Sequence, residues 1–266
     1  MLESLKIIPL DKIVPFETAL PGRSQHLVNE IEKEGRLRNP LLVLPLGNRF
    51  LLLDDAAFLD ALTQLGVNDV IVQMAGASQV TVRPWQRILE KWKLAEFIDF
   101  CARYPRQIRL MDKAEGTLGV NEAEIKVSDG SHLRIQFCSR SYMVRADLCI
   151  KLNNILTRDI RNYKAKIDLD NNNLFREFPD AAAAFFPPLF SLRVLGGIAN
   201  HGLRLPQGLV RVDQPGRVLG IDFSLNVLRE KDAVVEKEDF LRSLIKLRMA
   251  DDRTAYYDGF VFMFNY

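Results

Sequence analysis

Leu41-Leu42-Val43-Leu44, Gly47-Asn48, Phe50-Leu51-Leu52-Leu53 and Asp54-Asp55 follow one another at the start of a stretch, residues 41–73, that decides the fold. Both apolar runs are short and are parted by a two-residue turn signal, so they read as buried strands. After the aspartates, Ala57, Phe58, Ala61, Leu62 and Leu65 recur at intervals of three and four residues up to Gly66. That spacing predicts a helix with an acidic N-cap and a glycine stop, followed by a strand running to Gln73. Unpaired N–H groups at a helix N-terminus attract anions, so a carboxylate at this turn can mark a reaction centre. A plain capping role for Asp54 or Asp55 is the simpler alternative.

Upstream, Leu5–Leu10 and Ile13–Phe16 read as strands, and the proline- and glycine-bearing segment from Phe16 to Arg23 as irregular. Ser24 reads as the cap of a helix whose buried stripe is Leu27, Val28 and Ile31, closed by Gly35. Glu17 and Arg23 share the loop before that helix, either as a surface ion pair or as a base and a substrate clamp.

Downstream, Pro84–Tyr104 reads as one helix stopped by Pro105, with Trp92 in its apolar stripe. Ile108–Leu110, Ala123–Val127 and His132–Phe137 read as strands, the last two joined by a hairpin at Ser128-Asp129-Gly130. Ser141–Ile160, Leu189–Ala199 and Glu236–Met249 read as helices, and Ala181–Ala184 as a helix fragment. Leu209–Val212 and Val218–Ile221 read as paired strands, and Phe260–Phe264 as a terminal strand. Asp168–Asn173 lacks the glycine and closing glutamate of a calcium loop and reads as a polar break. Arg134, Arg140 and Arg145 read as solvated surface or as a basic patch. A soft boundary near residue 78 divides a core, residues 1–78, from an elaborating α+β region, residues 79–266, with the cleft expected between them.

Composition limits the partners. The 266 residues carry 36 Lys+Arg against 34 Asp+Glu, a net charge of +2, which gives no polyanion-binding signature and argues against a nucleic-acid partner. Cys101, Cys138 and Cys149 are odd in number and widely spaced, so neither a disulfide scaffold nor a zinc cluster is expected. No export pattern is read at the N-terminus, and no apolar run approaches the roughly 20 residues of a membrane span. A cytoplasmic protein is the expectation.

The order strand, loop, helix, hairpin, helix, strand resembles the N-terminal domain of the ParB/sulfiredoxin superfamily. The residues that carry the resemblance are Ile7-Ile8-Pro9-Leu10, Ile13, Arg23, Gly35, Asn39-Pro40-Leu41-Leu42-Val43, Leu53-Asp54 and Ala61 to Gly66. Within the superfamily the chain is most similar to the free-serine kinases, including the siderophore-associated kind. Glu17 with Pro21 and Arg23, Trp85-Gln86, Pro206 to Arg211, and Gly216-Arg217 stand in the matching order. The resemblance implies an α+β fold and phosphoryl transfer from ATP or ADP, with Mg2+, to the hydroxyl of L-serine, giving O-phospho-L-serine. It makes Glu17 the base and places Asp54 at the metal or near the transferred group. Asp54 and Asp55 are the candidate metal ligands, and Arg23, Trp85, Arg211 and Arg217 face the substrate. His201, just upstream of the Arg211 segment, is a further candidate for the substrate side. The expected partners are a small molecule such as L-serine and, in assembly, a second copy of the chain.

The chain also departs from the family pattern Asp-Gly-x-His-Arg, for it has Asp54-Asp55-Ala56-Ala57-Phe58. Asp55 replaces the glycine, Ala57 and Phe58 replace the two cationic donors, and Val210 replaces a threonine before Arg211. A catalytically lapsed ligand-binding or regulatory relative is therefore the alternative reading. A partition-type DNA binder would need a basic helix-turn-helix segment. A sulfiredoxin-type enzyme would need a reactive cysteine inside the core, and a CTP-dependent switch the replaced arginine.

Overall fold

The computed structural model describes residues 2–111, 118–157, 162–165, 174–231, 234–250, 254–257 and 261–264. In chain order it opens with β1 (Leu5–Pro9), β2 (Ile13–Val14), α1 (Pro21–Glu34), β3 (Arg36–Leu37), β4 (Leu41–Leu46), β5 (Arg49–Leu52), α2 (Ala56–Gln64) and β6 (Asp69–Met74). There follow β7 (Thr81–Pro84), β8 (Gln86–Leu89), α3 (Leu94–Arg103), β9 (Ile108–Met111), β10 (Glu122–Val127), β11 (His132–Phe137), α4 (Tyr142–Thr157) and β12 (Asn162–Ala165). The remainder is α5 (Leu174–Glu177), β13 (Ala183–Phe186), α6 (Leu192–Asn200), β14 (Val210–Asp213), β15 (Val218–Leu219), β16 (Phe223–Ser224), α7 (Leu225–Arg229), α8 (Val234–Ala250), β17 (Thr254–Tyr257) and β18 (Val261–Phe264). The chain is thus α+β, as the sequence implies. Among the described residues no helix is long and apolar enough to cross a membrane.

Two compact units result, the first from Met1–Thr81, Ala199–Gln207 and Val212–Tyr266, the second from Val82–Ile198 and Gly208–Arg211. The first unit holds a mixed five-stranded sheet in the order β1-β6-β4-β5-β2. Its hairpin β4–β5 pairs Leu46 with Arg49, which leaves Gly47-Asn48 as a two-residue loop. Gly47 has φ +63°, the conformation that the first position of a type II′ turn requires. Leu51, Leu62 and Ile71 are fully buried around this sheet, each contributing about 1.5–3 kcal/mol of burial free energy. Val218, Ile221, Phe223, Leu225, Leu228 and Leu241 complete the same core. Late sequence therefore closes the first unit: β16 pairs with β3, and Lys237 of α8 donates to Asp69 of β6 at 2.6 Å.

The second unit holds a six-stranded antiparallel sheet in the order β12-β8-β13-β10-β11-β9. Several local expectations are corrected here. Residues 86–89, expected as helix, form β8, and the helix begins only at Leu94. Ala183 and Ala184, expected as part of a helix fragment over 181–184, instead open β13, which pairs with β8 and β10. Strands covered on both faces lose the two-residue alternation that separates them from helix. Arg134 is buried rather than solvated, 3.6 Å from Glu124 and 3.9 Å from Glu122. In the first unit Val218-Leu219 pairs in parallel with β18, not with residues 209–212. The segment 168–173 lies outside the described residues.

At the start of α1 the helix begins at Pro21, with Leu20 as N-cap, so Ser24 is not the cap. Proline at the first helical position has no N–H to lose. Ser24 is instead buried, its hydroxyl donating to the Leu20 carbonyl at 3.3 Å.

Candidate functional site

β4 and β5 carry the chain side by side to the turn before α2. The Leu53 N–H donates to the Leu42 carbonyl at 2.8 Å, and the Leu42 N–H donates to Asp54 Oδ2 at 2.5 Å. Asp54 is thus held at the end of the hairpin, while Asp55, the next residue, is the N-cap of α2 and accepts from the Ala57 N–H at 3.0 Å. The two carboxylates play different parts, and Asp54 caps nothing.

Each draws a guanidinium from a distant segment. Arg217 Nη2 donates to Asp54 Oδ2 at 3.1 Å and to the Pro40 carbonyl at 3.3 Å. Arg23, in the first turn of α1, donates through Nε to Asp55 Oδ2, and Gln207 Nε2 donates to Asp55 Oδ1 at 2.9 Å. A cavity of about 170 Å³ opens here, lined by Asn39, Pro40, Asp54, Asp55, Phe58 and Arg217 among others. Two guanidiniums, those of Arg23 and Arg217, thus stand at the turn before α2.

Partial burial raises the Asp54 carboxyl from its ordinary value, against the opposing pull of Arg217 and the Leu42 N–H. The segment bearing Arg217 is fixed by Gln73 of β6, which is 3% exposed. Its Nε2 donates to the Gly216 carbonyl at 2.6 Å, and its Oε1 accepts from the Val218 N–H at 3.0 Å. Asn39 Oδ1 accepts from the Gly220 N–H at 2.9 Å, a second anchor on the same segment.

Glu17 is half-buried and lies in the first unit. Its neighbours pair with Leu205: the Thr18 N–H donates to the Leu205 carbonyl, and the Leu205 N–H to the Phe16 carbonyl, both at 2.8 Å. The backbone that fixes Glu17 thus runs on, two residues later, to Gln207. His201 is exposed beyond the end of α6. Trp85 and Arg211 belong to the second unit, where the Arg211 guanidinium lies 5.3 Å from the centre of the Trp85 ring, within cation–π range. The first unit accordingly gathers Arg23, Asp54, Asp55 and Arg217, and the second pairs Trp85 with Arg211.

Gln73 and Gln207 are site residues that sequence reasoning missed. Gln207 stands inside the quoted Pro206–Arg211 motif, so the motif was a pointer to it. Gln73 had a fainter sign, as the one polar side chain between Val72 and Met74 at the end of an apolar strand.

The aspartate pair does not fit a resident Mg2+. Asp54 Oδ2 and both oxygens of Asp55 already accept from protein donors, so three of the four oxygens are engaged. Among the described residues no group of three or more His, Cys, Asp or Glu gathers as a metal site.

No family model matches the chain. In sequence it is 33% identical over 85 residues to the ATP-dependent L-serine kinase SbnI of Staphylococcus aureus, strain NCTC 8325 / PS 47. That match spans 32% of this chain and 34% of SbnI, about a third of each. The structure of SbnI with a C-terminal truncation superposes with a TM-score of 0.74 at 17% identity, covering 93% of this chain and 98% of that one. A mutant free serine kinase in complex with ADP superposes at 0.67 and 14% identity, covering 85% and 94%. The chain is therefore similar to free-serine kinases in part of its sequence and has their fold.

Proposed function

We propose that this protein is a nucleotide-dependent kinase of free L-serine, forming O-phospho-L-serine. The observation that carries the reading is the 33% identity to an ATP-dependent L-serine kinase, on a chain that matches that kinase's fold over 93% of its length. In the reaction the serine hydroxyl oxygen bonds to the terminal phosphorus of ATP or ADP, the bond from that phosphorus to the bridging oxygen breaks, and Glu17 takes the hydroxyl proton. Little covalent chemistry falls to the protein; positioning and charge stabilisation carry the rate. Arg23 and Arg217 supply positive charge at the start of α2, where backbone N–H groups suit phosphate oxygens. Trp85 and Arg211 serve the substrate side, with His201 as a further polar contact. A divalent ion would arrive bound to the nucleotide phosphates and spread their charge.

A second reading, a non-catalytic ligand-binding relative, is favoured by one observation: the two arginines are paired with the protein's own aspartates. Incubation with ATP or ADP, Mg2+ and L-serine, followed by phosphorus NMR, separates the two. The kinase yields a phosphoserine resonance, which Glu17→Ala abolishes without changing the thermal unfolding curve. Absence of product overturns the enzymatic reading, and a nucleotide-dependent thermal shift without product is the outcome of the non-catalytic relative.

A further inference from the structure

We propose that Asp55 is a built-in competitor for the phosphate group this site receives, so that nucleotide binds only as the contacts of Asp55 with Arg23 and Gln207 open. The inference rests on the reading that the start of α2 faces the nucleotide phosphates. A capping aspartate needs one donor, and Asp55 has it in the Ala57 N–H. It nonetheless holds two more, Arg23 from 32 residues before it and Gln207 from 152 residues after it. A helix N–H, a guanidinium and a side-chain amide from three separate segments form the donor set that holds a phosphate oxygen. Here the protein's own carboxylate sits among them.

An independent observation points to an incoming acceptor. Arg217 lines the cavity that Asp55 also lines, and its Nη1 is buried with no hydrogen-bond partner among the described residues. Buried donors are rarely left unmet, so a spare guanidinium N–H beside a cavity suits an anionic guest. The lock is also able to open. The Arg23 side chain is 55% exposed and that of Asp55 22%, and ion pairs this close to solvent are weak. Arg23 can turn from carboxylate to ligand while Asp55 keeps its cap to Ala57. The substitution of aspartate at this position thus restrains the site without dismantling it.

Isothermal titration of the full chain with ADP tests the lock. Asp55→Asn keeps a capping oxygen but loses the charge that holds Arg23, and Asp55→Gly removes the side chain at a position where glycine is tolerated. Both are expected to bind ADP at least fivefold more tightly than the unaltered chain, and Arg23→Gln added to Asp55→Asn is expected to cancel the gain. A change below fivefold in the variants that keep the parent thermal unfolding curve, with ADP binding measurable, overturns the lock and leaves the nucleotide site standing. A gain that survives Arg23→Gln overturns it too. Failure of every version to bind ADP removes the nucleotide site itself, and the lock with it.

Discussion

Gln73→Met removes the two hydrogen bonds that fix the segment around Arg217. Gln73 is 3% exposed, and the side chain satisfies the Gly216 carbonyl at 2.6 Å and the Val218 N–H at 3.0 Å. Methionine fills a similar volume but leaves both backbone groups without a partner. An orphaned buried polar group costs about 1–3 kcal/mol, so the pair costs about 2–6 kcal/mol. The newly buried apolar side chain returns part of this, about 1–2 kcal/mol. A net loss of about 1–4 kcal/mol is expected from urea unfolding, read as a lower midpoint at unchanged slope. A second consequence separates positioning from mere stability. With part of its flanking backbone released, Arg217 offsets the partial burial of Asp54 less, and the Asp54 carboxyl, already raised, rises further. Carboxyl carbon NMR titration reads this directly. A stability loss under about 0.5 kcal/mol, or an Asp54 titration that does not move, refutes the assignment of Gln73 as the residue that positions Arg217.

Three other outcomes follow from the same structure. Lys237 and Asp69 are both buried, and Lys237→Met leaves an uncompensated carboxylate, so about 3–5 kcal/mol should be lost in denaturant unfolding; adding Asp69→Leu should restore much of it, and a double variant no better than the single refutes the pairing. Because the Asp54 carboxyl is raised in the folded chain, the folded state holds its proton more tightly than the unfolded state. Its contribution to stability is therefore greatest below the unfolded value near 3.9 and declines as pH rises towards the folded value; the stability difference between parent and Asp54→Asn, followed upward from pH 4, should shift in that direction. Burial pushes the thiols of Cys149 and Cys101 up to about 12 and about 11, whereas Cys138 is exposed. Iodoacetamide at pH 8 should mark Cys138 in the native chain and the other two only after unfolding, as mass spectrometry would show.

What the sequence by itself determined is what neighbours in the chain decide. The two short apolar runs, the Gly47-Asn48 turn, the three- and four-residue spacing after Asp55, and the glycine stops at Gly35 and Gly66 are local signals, and the elements they predict are present. The start of α2 as the candidate site was legible for the same reason, since a cap and a strand end are read from adjacent residues. Tertiary structure alone decided that residues 86–89 and 183–186 are strands, because a run covered on both faces carries no period to tell strand from helix. It alone decided that Asp54 and Asp55 have separate partners. Arg217 reaches Asp54 across 163 residues, Gln207 reaches Asp55 across 152, and Gln73 reaches Val218 across 145. Such contacts leave no mark on local spacing, since they form only when the core that Leu37, Val72, Val218 and Phe223 share has brought the two ends of the chain together.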